Sequence, residues 1–76
     1  MSQPSPIKDL DVVALVTDQP KHGLVRGQVG TVVEVLAPGV YEVEFSDEQG
    51  RTYAQAPFTE SDLMVLHYAP KKQQAA

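Results

Sequence analysis

The chain has 76 residues and a mass of 8.3 kDa, which is enough for one small domain. It contains no cysteine, which excludes disulfides, thiol catalysis and cysteine-based zinc sites. Ten acidic residues against six lysines and arginines give a formal net charge of -4, which disfavours general affinity for nucleic-acid backbones and for anionic membranes.

Both ends of the chain are predicted to be disordered tails. Residues 1–6 are polar and proline-rich, and residues 70–76 are mostly polar after Pro70. The N-terminus lacks the apolar core of a signal peptide, and no apolar run is long enough to span a bilayer. We therefore expect a cytoplasmic protein without membrane contact, whose folded domain spans residues 7–69.

Five short strands are predicted in that domain. The apolar run 12–16 forms the first strand, and the glycine- and proline-containing stretch 18–27 follows as a long loop. Residues 29–36 are rich in β-branched side chains and form the second strand. Pro38 and Gly39 then form a tight turn into the third strand, 40–45.

Side chains of the third strand alternate between apolar and mixed character. Tyr41, Val43 and Phe45 are predicted to face the core, whereas Val40, Glu42 and Glu44 face outward.

The remaining elements follow a second turn at residues 47–50. A weaker fourth strand is predicted over 51–56, and Pro57 is expected to end it. Residues 58–62 have room for a single 3₁₀ turn, in which Thr59 and the acid Asp62 three residues later resemble a capping box. Residues 63–66 form the last strand.

Regularly spaced short strands predict an all-β fold, and a small barrel leaves few exposed sheet edges. Five strands, a long first loop and a 3₁₀ turn before the last strand resemble the SH3-like barrels. The segment from Arg26 to Val35 looks like the strand that opens many of these barrels, including ribosomal KOW domains and small photosynthetic accessory subunits. Within it, Gly27 is expected to take a positive φ, and Gly30 to permit a bulge or a sharp bend.

Nearly the whole domain resembles one family of short bacterial proteins, many of them cyanobacterial, whose function is unknown. The resemblance is carried by five segments: 10–15, 20–24, 26–33, 40–45 and 50–54. It implies the SH3-like fold and transfers no catalytic residue.

Catalytic and metal-binding chemistry has little support in the residues. His22 and His67 lack ligand-like spacing, and the chain has neither a phosphate-binding glycine loop nor a nucleophile elbow. The acids of the third strand are expected to be solvated, so no buried pocket prepares either of them as a catalytic acid or base. We therefore predict a non-enzymatic protein with no catalytic, cofactor-binding or metal-binding residue.

Protein binding is the function that these patterns favour, with a basic partner as the complement of the acids. The chain could be an accessory subunit or an adaptor of a larger assembly. Alternatively, it could neutralise a basic effector such as a toxin. The expected contact residues are His22, Leu24, Arg26, Glu42, Glu44, Tyr53 and Phe58.

Several alternatives stay open at this point. A loop leucine such as Leu24 either folds back on the core or meets a partner, and Tyr53 and Phe58 could plug the barrel ends instead. The KOW-like strand allows nucleic-acid binding as an alternative, which the net charge disfavours. Association of the chain with itself through Val40 is a further possibility.

Overall fold

The computed structural model describes residues 7–70 and contains five strands and two 3₁₀ helices. The predicted N-terminal tail and all but Pro70 of the predicted C-terminal tail lie outside the described residues. The elements in chain order are β1 Val12–Leu15, η1 Pro20–His22, β2 Val29–Ala37, β3 Val40–Ser46, β4 Thr52–Thr59, η2 Glu60–Asp62 and β5 Leu63–Val65.

All five strands belong to one antiparallel sheet with the order β4-β3-β2-β1-β5. The predicted all-β, SH3-like arrangement is confirmed, including the 3₁₀ turn η2 directly before β5. The sheet is open, since β4 and β5 are its two edges and do not pair with each other. The expectation that closure leaves little free edge is therefore wrong.

The core is formed by one face of the curled sheet. Tyr41, Val43 and Phe45 are 1%, 0% and 0% exposed, which confirms the alternation predicted for β3. Val32 from β2 and Phe58 from β4 pack into the same cluster. Glu42 and Glu44, between the core residues of β3, are only half-buried, so the opposite face of the strand points to solvent.

Gly30 is needed for close packing of strands; of the bulge or sharp bend predicted there, no bulge is found. A Cβ atom at Gly30 would lie 2.7 Å from Val43 Cγ1, 2.8 Å from the Glu44 carbonyl oxygen and 3.0 Å from Phe45 Cδ2. The register shifts of β2 occur further along, between Val32 and Glu34 and near Ala37. Glycine is therefore required because β3 occupies the space of a side chain.

Strand β4 continues through Pro57, contrary to the prediction that this proline ends it. Pro57 pairs with Glu42, and the ladder extends to Thr59 opposite Val40. Proline lacks an N–H group, and an edge strand tolerates this loss on its solvent side. The prediction failed because the effect of a proline on a strand depends on whether that strand lies at the edge of the sheet, and the sequence around Pro57 does not show this.

The predicted capping box is absent from η2. Thr59 is the N-cap residue, but its hydroxyl donates to Asp62 Oδ2 at 3.1 Å and forms no side-chain bond to the backbone of the helix. The same hydroxyl lies 3.0 Å from Ser61 Oγ. Side-chain contacts thus replace the backbone capping that the spacing suggested.

The long loop between β1 and β2 is more ordered than the sequence predicted. It contains η1 and an antiparallel bridge between Gln19 and Leu24. Asp18 Oδ1 accepts the backbone N–H of Arg26 at 2.9 Å. Gly27 has a φ of 93°, which confirms the positive φ predicted where the loop enters β2.

Within residues 7–70, no helix has the length and apolar character required to cross a membrane.

Candidate protein-interaction surface

The long loop packs against β4 through two contacts. The rings of His22 and Phe58 meet edge to face, with centroids 5.4 Å apart. Gln28 Nε2 donates to the Tyr53 hydroxyl at 3.1 Å, and Gln28 Oε1 accepts the Val25 N–H. Each contact joins residues that are far apart in the sequence, and the two contacts lie near opposite ends of β4.

Two of the predicted contact residues are part of the core. Leu24 and Phe58 are each 3% exposed and belong to the main apolar cluster. Of the two alternatives for Leu24, the structure shows the fold-back on the core, and Phe58 likewise packs against Phe45 at 5.8 Å. Their side chains hold the loop and β4 in place and present no surface to a partner.

The other predicted contact residues of the long loop and β4 remain accessible. His22 and Arg26 are exposed, and Tyr53 is 50% exposed while its ring lies 6.3 Å from that of Phe45. Since Phe45 points into the core, this contact places the Tyr53 ring on the core side of the sheet. Val25 is 56% exposed in the loop.

Glu42 and Glu44 lie on the opposite, outer face of the sheet. Each alternates with a core residue of β3, so neither carboxylate lies on the core side of the sheet. The seven predicted contact residues therefore divide into a group on the long loop and β4 and a group on the outer face, and the structure does not bring them together as one surface.

Sequence reasoning missed a third glutamate on the outer face, Glu34. Strict alternation after Gly30 and Val32 would place residue 34 in the core. The register shift between Val32 and Glu34 adds one residue to β2, so Glu34 pairs directly with outward-facing Glu42 and is exposed. A glutamate at a supposed core position was the signal that could have revealed this shift.

Glu34, Glu42 and Glu44 together form the acidic row. Within residues 7–70, no Lys, Arg or His nitrogen lies within 4.0 Å of these three carboxylates. Glu42 Oε2 accepts a hydrogen bond from Gln55 Nε2 at 3.0 Å. Like charges directly opposite each other destabilise a sheet, and here no cation of the described domain offsets them.

The remaining polar groups mostly serve local structure. Asp47 Oδ1 accepts the N–H groups of Gln49 and Arg51, both at 2.9 Å, and its Oδ2 lies 3.2 Å from Arg51 Nε. In the part of the chain that the structure describes, no three His, Asp or Glu residues converge as a possible metal site.

Comparison with known proteins shows the family of this chain. Residues 9–65 match the model of a domain of unknown function, DUF4926, so the chain belongs to that family. This confirms the membership expected from the sequence in a short family without assigned function. The comparison points to no enzymatic activity. No curated protein matches the chain. No solved structure matches it either.

Proposed function

We propose that this DUF4926 domain is a non-catalytic, cytoplasmic module that binds another protein through its outer sheet face. The partner presents a basic surface. It is either an assembly that the domain joins as an accessory subunit or adaptor, or a basic effector that the domain neutralises. The observation that carries this proposal is the acidic row, three adjacent glutamates without a cation from the described domain.

The energetic argument concerns Glu34 and Glu42. They face each other across β2 and β3, where like charges cost roughly 0.2–1 kcal/mol. Lysines or arginines of a partner would remove that cost and steer the encounter. The row needs no pocket and no reorganisation of the fold, because its positions are set by strand pairing.

The distribution of charge over the domain supports the same partner. Residues 7–70 contain all ten acids but only four of the six lysines and arginines, since Lys71 and Lys72 follow the domain. Lys8 precedes β1 and Lys21 lies in η1, so neither is on a strand of the sheet. Nucleic acid, whose backbone is anionic, would meet repulsion at the acidic row.

The test is affinity capture, with chemical cross-linking, from the organism that encodes the chain. The wild-type protein is compared with a Glu42→Gln/Glu44→Gln variant and with a charge-matched control, Glu48→Gln/Glu60→Gln, whose sites lie in a turn and in η2. We expect a basic protein in stoichiometric amount with the wild type and the control, and a loss of at least tenfold with the β3 variant.

Two results would contradict the proposal. One is the absence of any stoichiometric protein at low ionic strength. The other is binding of short RNA or DNA whose affinity falls steeply with added salt, which would favour the nucleic-acid alternative.

A further inference from the structure

The outer sheet face carries an apolar surface next to the acidic row. Along β1, Val13 and Leu15 point into the core, so Ala14 between them points outward. Ala14 pairs with Val29 of β2 on one side and with Met64 of β5 on the other. These three residues therefore form one line across the outer face.

Large side chains on that line are exposed. Met64 is 53% exposed and Val29 is 44% exposed, whereas Ala14 between them is only 6% exposed. Val33, the extra residue at the first register shift of β2, is 37% exposed and adjoins Glu34. Val29, Val33 and Met64 are called the apolar strip below.

The apolar strip and the acidic row are joined by strand pairing. Val12, half-buried on β1, pairs with Thr31, and Thr31 pairs with Glu44. The change from apolar to acidic thus occurs at β2, which carries Val29 and Val33 of the strip as well as Glu34 of the acidic row. The centres of β5, β1 and β2 span about 10 Å at the usual strand spacing, which matches the diameter of one α-helix.

Charge complementarity decides among possible occupants. A second copy has no lysine or arginine on any of its five strands, so its sheet face leaves the acidic row without a cation, and an anionic membrane would be repelled. A helix with an apolar side and a basic side is complementary to both the apolar strip and the acidic row. We propose that the domain binds a basic amphipathic helix of its partner, with the apolar side on the strip and lysines or arginines on the acidic row; this rests on the protein-binding function proposed above.

The test uses two synthetic 18-residue peptides of identical leucine and lysine composition. One has leucines at helical i, i+3, i+4 and i+7 spacing, and the other has a scrambled order. Each is titrated into the ¹⁵N-labelled full chain, with affinity from calorimetry and the binding site from amide shift changes. The amphipathic peptide should bind at least tenfold more tightly and shift amides of β1, β2 and β5.

Substitutions locate the two parts of the site. Met64→Gln should weaken the amphipathic peptide about fivefold through lost apolar burial. Leu36→Gln is the matched control, since Leu36 is 46% exposed at the far end of β2, and it should change affinity less than twofold. Glu42→Gln should weaken both peptides.

Three results would overturn the helix proposal. Equal binding of both peptides that is still lowered by Glu42→Gln would leave the basic-partner function intact and refute the role of the strip. Sedimentation showing a dimer that Met64→Gln dissociates would assign the strip to a second copy. Nuclear Overhauser contacts from the Met64 methyl group to residues 1–6 or 71–76 in the free protein would assign it to the chain itself.

Discussion

Replacing Gly30 with alanine tests how tightly β2 and β3 approach each other. The new Cβ atom would lie 2.7 Å from Val43 Cγ1 and 2.8 Å from the Glu44 carbonyl oxygen. The carbonyl belongs to the backbone of a paired strand, so the contact is relieved only by moving β3. Overpacking of this kind costs roughly 1–3 kcal/mol.

An opposing effect reduces that cost. The φ of Gly30 is not positive, so alanine can adopt the same backbone conformation. Alanine loses less conformational freedom than glycine on folding, which raises the free energy of unfolding by roughly 0.4–1 kcal/mol. We expect the Gly30→Ala variant to lose about 1–2 kcal/mol of unfolding free energy. For a domain of this size, each 1 kcal/mol lowers Tm by roughly 4–8 °C.

The assay is urea unfolding followed by circular dichroism, with Gly50 as a control. A Cβ atom at Gly50 meets nothing within 4 Å, but its φ of 80° is left-handed. Gly50→Ala should therefore be destabilised, and Gly50→Asn less so, because asparagine tolerates this conformation. At Gly30 the order reverses, since asparagine is larger than alanine. A Gly30→Ala variant as stable as the wild type, or more stable, would refute the steric argument.

Three further predictions concern the loop, a turn and the acidic row. Leu24→Ala should cost about 2–5 kcal/mol of unfolding free energy, whereas the exposed Val25→Ala should stay within about 0.5 kcal/mol, and equal effects would contradict the core position of Leu24. Asp47→Ala should cost about 1–2 kcal/mol by removing the acceptor of two backbone N–H groups, and Asp47→Asn should retain most of the stability, both by urea unfolding. Glu34→Gln should raise stability by about 0.2–1 kcal/mol at low salt by relieving Glu42, and a gain unchanged at 1 M salt would rule out charge as the cause.

Local patterns predicted much of this fold. The alternation of β3 placed Tyr41, Val43 and Phe45 in the core, because a strand whose neighbours bury one face leaves a period of two in the sequence. The turns around Gly39 and Gly50 were equally readable, since glycine marks chain reversal within a few residues. The 3₁₀ turn before β5 followed from the short distance between two apolar runs.

The errors arise where one strand depends on another. Pro57 looked like a terminator, but an edge strand has a solvent side on which a missing N–H does not matter. Gly30 looked like a bulge site, but it makes room for β3, which follows later in the chain. Neither edge position nor close approach is encoded in the neighbouring residues.

The candidate site was predicted only in part, for the same reason. Glu42 and Glu44 were assigned to the outer face from the alternation of their own strand. Glu34 joins them because a register shift against β3 turns it outward, and the row exists only through that pairing. The binding role of the row stays a prediction.

The sequence by itself determined a small acidic domain of short strands, without cysteine, and the inward side of β3. These properties depend on composition and on periodicity within a few residues. Only the tertiary structure decided that Leu24 is a core residue, that the sheet stays open, and that the acidic row of β2 and β3 adjoins an apolar strip of β2 and β5. Those features depend on which strands pair and in which register, and register is set by contacts between residues distant in the chain.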